Sequence, residues 1–278
     1  MISLYHEFAE KSSKQITHLY STSFTLGIKM LDTKFHKHIY NIYGLVRLAD
    51  EIVDTFHEHN KKELIDAFEK ETFQAVETGL STNPIIHAYQ LTANTYQIEN
   101  DLLKAFFKSM KMDLYQLDYD ADNYNEYIYG SAEVVGLMCL RVFTEGNTHL
   151  YDELKSGARA LGAAFQKVNF LRDMQADFED RGRTYFPGVD FVNFTEDQKK
   201  LIEQDILQDF NDARDAILML PESSRVGVYL AYKYYLKLFN KIRRAPAEAI
   251  LNQRFRVPDL EKMYVLANTC FRSVVGAL

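Results

Sequence analysis

Between Lys61 and Leu80, Leu64, Ile65, Phe68, Thr72, Val76 and Leu80 recur every three or four residues, and Lys and Glu fill the opposite side. That spacing is the helical period and puts the apolar row on one face. The same period runs through most of the chain. Strict apolar–polar alternation, the mark of a half-buried strand, holds over no useful length. Start signals punctuate the pattern: Asn60 with Glu63 and Thr195 with Gln198 read as capping boxes. Pro84, Pro221 and Pro258 suit first-turn positions, where a missing N–H costs nothing. The spacing predicts helices near 3–20, 35–57, 61–79, 84–95, 98–117, 123–144, 148–181, 196–219, 222–244 and 258–275, with an irregular stretch from Gly182 to Phe194. Only 12 Gly and 5 Pro occur in 278 residues, too few reversals for a sandwich or barrel. With no repeat or linker in sight, a single all-α domain over residues 1–278 is expected.

The charge balance is −7, with a pI near 5.7, which argues against nucleic-acid binding. Cys139 and Cys270 lie far apart in the chain and make neither a disulfide framework nor a zinc spacing, so a reducing interior is expected. The start, Met1 to Glu7, lacks a basic region ahead of an apolar one, unlike a signal peptide. No run approaches the ~20 apolar residues of a membrane helix. A cytoplasmic chain is expected, soluble or peripheral at a membrane.

Two polar stripes carry chemistry. In the first, Tyr43, Arg47, Asp50 or Glu51, and Asp54 share one helix face among Leu45, Leu48 and Ile52. Alone, this stripe also fits a solvated acidic face with Arg47 paired to Asp50 or Glu51. In the second, Gln166, Asn169, Asp173 and Asp177 align on a helix whose Phe165, Val168, Phe170 and Leu171 belong in a core. Oxygen donors on a largely buried helix are costly unless a cation or hydrogen bonds satisfy them. With no Cys or His among them, the donors suit Mg²⁺ far better than zinc. Two facing stripes of this kind would hold metal ions around a diphosphate, with Arg47, Arg172 and Arg183 on the phosphate side.

These residues resemble the two signatures of the squalene/phytoene synthase family. One is Asp50-Glu51-Ile52-Val53-Asp54. The other runs from Gln166 through Asn169, Arg172, Asp173 and Asp177 to Arg181-Gly182-Arg183, Tyr185 and Pro187. The likeness extends to Tyr20-Ser21-Thr22-Ser23-Phe24, to Tyr127 through Met138, and to Arg256-Val257 with Lys262. It implies an all-helical class I terpenoid synthase fold with a central cavity, joining two prenyl diphosphates head to head. It further implies that Asp50, Asp54, Asn169, Asp173 and Asp177 bind Mg²⁺, with Mn²⁺ able to stand in. Ser21, Ser23, Tyr43, Arg47 and Arg172 would contact diphosphate or hold the metal ligands; Phe24, Gln166 and Tyr127 would line the reacting centre.

Some positions depart from the family pattern. Glu51 stands where a second Asp is common, Glu133 follows Ala132 in place of Gly, and no Tyr occurs near Ala245-Pro246-Ala247. Arg254 or Lys262 is the expected substitute for that Tyr. Ala132, Gly136, Ala158 and Gly162 either leave room for an isoprenoid tail or serve close helix packing. The expected reaction joins two geranylgeranyl diphosphates to 15-cis-phytoene, opening a carotenoid pathway without NADPH. The alternative joins two farnesyl diphosphates to dehydrosqualene or squalene. A head-to-tail prenyltransferase shares the acidic motif but not the Gln166–Pro187 signature, and a non-catalytic relative would be expected to have lost metal ligands. Greasy substrates and products imply transient contact with a membrane surface. Nothing in the residues sets an oligomeric state.

Overall fold

The computed structural model describes residues 2–116, 118–189 and 193–274. Its helices are α1 (Ile2–Tyr20), α2 (Thr22–Lys29), α3 (Thr33–Asp54), α4 (Lys61–Thr78), α5 (Pro84–Tyr96), α6 (Asn100–Met112), α7 (Ala121–Ile128), α8 (Val134–Thr144), α9 (Thr148–Arg181), α10 (Glu196–Met219), α11 (Glu222–Arg243), α12 (Ala247–Asn252) and α13 (Asp259–Val274). The described residues form one all-α domain whose only β-type pairing is an isolated bridge between Asp118 and Thr184. None of these helices is long and apolar enough to cross a membrane.

Local chemistry sets most boundaries. Thr195 and Gln198 form the expected reciprocal box: the Gln198 N–H donates to the Thr195 hydroxyl at 3.3 Å, and the Thr195 N–H to Gln198 Oε1 at 3.0 Å. Asn60 caps α4 by accepting from the Glu63 N–H at 3.3 Å. Pro84 opens α5 as expected. Pro221 and Pro258 instead stand just before the first helical residue, where their carbonyls accept from Arg225 and Lys262 N–H groups at 2.9 and 3.0 Å. Gly182 ends α9 at φ +64°, a left-handed value that favours glycine, and turns the chain so that Arg183 re-enters the protein.

The structure departs from the spacing in five places. The expected helix 98–117 stops at Met112, and Leu117, like Val275 at the end of the last expected helix, lies outside the described residues. The stretch 123–144 is two helices joined by a π-turn, Tyr129–Glu133. Helices α2 and α12 were not expected, since Ser, Thr and Gly give α2 little propensity and α12 has only six residues. Packing of Ile28 and Leu31 into the core holds α2 and its exit in place. On α4 the buried row is Ile65, Phe68, Thr72 and Ala75, while Leu64 and Leu80 are exposed, because α4 covers the core with a narrow strip.

The core has two main parts. Leu45, Ile86, Phe106 and Leu137 centre one among α3, α5, α6 and α8; Leu171, Phe210 and Phe239 centre the other among α9, α10 and α11. Each such side chain contributes about 1.5–3 kcal/mol by leaving water. The two halves meet where the π-turn Tyr129–Glu133 and α8 pack along α9. There a Cβ on Gly162 would stand 2.6 Å from the Ala132 carbonyl oxygen and 2.9 Å from its carbon. Backbone cannot yield as a side-chain tip does. Gly162→Val is therefore expected to destabilise the fold by about 1–3 kcal/mol, read by urea unfolding. Unchanged stability would mean that the helices do not meet so closely.

Candidate active site

Asp50 and Asp54 lie in the last turns of α3, with Arg47 one turn and Tyr43 two turns before Asp50 on the same face. Gln166, Asn169, Arg172, Asp173 and Asp177 lie on α9. Both rows line one polar cavity of about 510 Å³, together with Ser21, Ser23, Phe24 and Tyr127. Every residue that the resemblance implies to bind metal, contact diphosphate or line the reacting centre thus borders the same chamber. Glu51 is not part of its lining: together with Asp50 it holds the Arg47 guanidinium, which also rests 4.2 Å from the Tyr20 ring centroid.

The carboxylates are held by arginines. Arg172 Nε donates to both Asp173 oxygens at 3.0 and 3.1 Å, and Arg254 Nε donates to Oδ1 at 2.7 Å. Of the two expected substitutes for the missing tyrosine, Arg254 thus lines the chamber. Lys262, the other expected substitute, is outside the cavity and pairs with Asp259 on α13 at 3.1 Å. Burial opposes the charge on Arg172, and its bond to Asp173 more than offsets that, leaving its pKa raised. Among the described residues, no three His, Cys, Asp or Glu side chains stand close enough together to form a ready-made metal cluster.

Beneath the carboxylates is a buried network that the sequence did not reveal. Arg183, brought inward by the turn at Gly182, lies 3.4 Å from Asp54 and 3.2 Å from Asp113, and donates to the Tyr185 hydroxyl at 3.1 Å. Tyr127 donates to Asp113 Oδ2 at 2.9 Å, so its hydroxyl is already engaged. Burial, with the nearby Asp54 and Asp50 charges, pushes the Asp113 carboxyl up to about 7 although Arg183 opposes the shift. Asp113 follows an ordinary amphipathic helix and carries no motif signal. Its position depends on contacts with residues 70 and more positions away.

Next to the polar chamber is an apolar arm of about 280 Å³, with Leu31, Leu140, Phe143, Leu154 and Leu220 in its lining. Phe24, Tyr43, Val46, Ser131, Gln166, Ala231 and Tyr235 line both. Two stacked pairs stand at this neck: Phe24 with Tyr43 at 4.8 Å and Phe165 with Tyr235 at 3.9 Å between centroids. The Tyr235 hydroxyl also donates to Asn169 Oδ1 at 3.3 Å, linking α11 to the polar row. Burial pushes the Tyr43 hydroxyl up to about 12, so it stays protonated. Ala132, Gly136, Ala158 and Gly162 line the arm and also sit in close helix packing, so the same residues do both.

An all-α bundle with oxygen-bearing helices across a polar chamber and an apolar arm behind it has the architecture of class I isoprenoid synthases. A solved dehydrosqualene synthase in complex with ligand superposes with a TM-score of 0.83 at 18% identity, covering 98% of both chains. The sequence pattern of squalene/phytoene synthases matches residues 17–261, and the chain belongs to that family. It is 28% identical to a phytoene synthase of Arthrospira platensis over 91% of this chain and 89% of the relative. To a 4,4'-diapophytoene synthase of Staphylococcus haemolyticus it is 26% identical, over 83% and 86% respectively. The chain is therefore a prenyltransferase-type enzyme with the family's head-to-head chemistry on prenyl diphosphates, and membership implies a divalent-metal-dependent mechanism.

Proposed function

We propose that the protein joins two farnesyl diphosphates head to head into dehydrosqualene, with Mg²⁺ as its metal. The observation that carries this reading is the junction itself: carboxylates of α3 and α9 on one side, stacked rings at the neck, and a small apolar arm beyond. At about 280 Å³ the arm lies just below the usual range of ligand pockets, ~300–1,000 Å³, so shorter tails enter it with less rearrangement. The geranylgeranyl reading, favoured from the sequence, keeps support from the phytoene synthase relative and requires the arm lined by Phe143 and Leu154 to widen.

The residues present fit the metal. Asp50, Asp54, Asn169, Asp173 and Asp177 offer only hard oxygen donors, and among the described residues neither His nor Cys lines the polar chamber. Bound divalent ions would neutralise the departing diphosphate. Arg47, Arg172 and Arg254 orient diphosphate oxygens beside the carboxylates. The carbon–oxygen bond of one substrate breaks, its electron pair leaving with diphosphate. The double bond of the second substrate attacks the allylic cation, and loss of a proton closes the cyclopropane. A second ionisation, rearrangement and proton loss give the product without a reductant. Ring faces of Phe24, Tyr43, Phe165 and Tyr235 favour positive charge at the neck. The apolar walls keep out water that would quench it.

Each diphosphate supplied alone, with and without NADPH, tests this reading by chromatography of the products. The expected result is a C30 hydrocarbon from farnesyl diphosphate, formed with Mg²⁺ and unchanged by NADPH. A C40 product made in preference overturns the chain-length assignment. Chelation of divalent ions is expected to stop turnover, and Mg²⁺ or Mn²⁺ to restore it. Full turnover in chelator would remove the metal from the mechanism.

A further inference from the structure

Helix α13 has two apolar faces. The inner one, Val265 with Leu266, packs on Leu230 and Tyr234 of α11 and on Leu26 and Met30 around α2. The outer one consists of Leu260, Met263, Tyr264 and Phe271, which are 86, 56, 66 and 66% exposed. Exposed Ala267 fills the gap in the row. A helix resting on a globular surface normally turns its polar side to water. A contiguous exposed apolar row of this kind marks an interaction site.

Three features indicate what covers it. First, Lys233, Lys237 and Lys241 run along α11 at intervals of four, on the helix that supports α13. Lys233 stands among like charges from Arg272 and Arg214. The acids of the first turn are already engaged, Asp259 by Lys262 at 3.1 Å and Glu261 by Lys237 at 2.9 Å. With Lys237 paired to Glu261, Lys233 and Lys241 leave the flank of this face net positive on a chain whose net charge is −7. A second copy in a two-fold contact would bring these cations against themselves, whereas an anionic surface would neutralise them. Second, Lys237 Nζ lies 5.8 Å from the Tyr264 ring centroid. An aromatic ring beside an ammonium suits the boundary between lipid tails and headgroups. Third, α2 and α11, on which α13 rests, also wall the apolar arm through Gly27, Ile28 and Val228. A hydrocarbon made in that arm must leave for an apolar phase.

We propose that the outer face of α13, flanked by the lysines of α11, docks the enzyme on the surface of an anionic phospholipid bilayer. The argument from a hydrocarbon product rests on the proposed function; the exposed row and its cations do not.

Co-flotation with vesicles of phosphatidylcholine, with and without phosphatidylglycerol, tests this in the absence of substrate. The full chain is expected to bind, and to bind anionic vesicles on the order of tenfold more tightly. Leu260→Ser/Met263→Ser/Phe271→Ser should lose at least about tenfold in binding while keeping its helicity and its condensation rate in detergent. Lys233→Gln/Lys237→Gln/Lys241→Gln should lose the preference for anionic lipid. Absence of vesicle binding by the full chain, or equal binding by the serine variant, overturns the proposal. So does a dimer in sedimentation velocity that the serine variant dissociates, since a second copy would then cover the face. Failure here with normal product formation would leave the condensation reading intact, and the reverse result would leave the docking face intact.

Discussion

Replacing Asp173 with asparagine is expected to lower the condensation rate by at least about a thousandfold while leaving the fold intact. The amide keeps the size of the side chain and can still accept from Arg172 and Arg254, which hold Asp173 at 2.7–3.1 Å. What it loses is the negative charge, and with it the affinity for a hard divalent ion. Asp50→Asn, on the opposite wall, should act in the same direction. The kinetic split is informative, because raising Mg²⁺ should recover part of the loss if weakened metal binding is its cause. A rate within about threefold of the parent for Asp173→Asn, at equal thermal stability, would remove the carboxylate from the mechanism.

The second large effect is on stability. Arg183 is 7% exposed and lies between Asp54 and Asp113, so Arg183→Met leaves two carboxylates without their shared cation. Breaking a buried pair from one side costs about 3–5 kcal/mol. The loss should depend on pH. Asp113 already holds its proton up to about pH 7, through burial and its acidic neighbours, and without Arg183 it should hold it higher still. Because the folded state then binds a proton that the unfolded state has released, stability falls as pH rises through that range and returns as pH falls. Urea unfolding at pH 5.5 and pH 8 should therefore show a smaller deficit at the lower value than at the higher. An equal deficit at both would mean that Asp113 is ionised throughout.

The residues that could be read from the sequence share one property: their relation to each other is set by a single helix. Tyr43, Arg47, Asp50 and Asp54 lie on α3, and Gln166, Asn169, Asp173 and Asp177 on α9, so the 3.6 period alone aligns each row. That the rows line one chamber was carried by the resemblance and by the cost of burying oxygen donors without partners. Asp113 and Tyr235 were missed because their places depend on contacts between distant segments, which leave no periodic trace. Arg254 was named only as one of two substitutes, and spacing offered no way to choose between it and Lys262. Helix α2 escaped notice for the opposite reason: its residues favour turns and caps, and tertiary packing overrides them.

The π-turn at Tyr129–Glu133 puts one extra residue into a continuous helical path. An added residue advances the helical phase by about 100°. Before it, Tyr127 faces the charged half of the chamber; after it, Val135, Gly136 and Cys139 face the greasy half. Removing a single residue here would rotate everything downstream relative to everything upstream, swinging one of these two linings into the bulk of the protein. The length of this short segment is therefore constrained more tightly than its side chains are, and a one-residue deletion should be far more damaging than most substitutions within it.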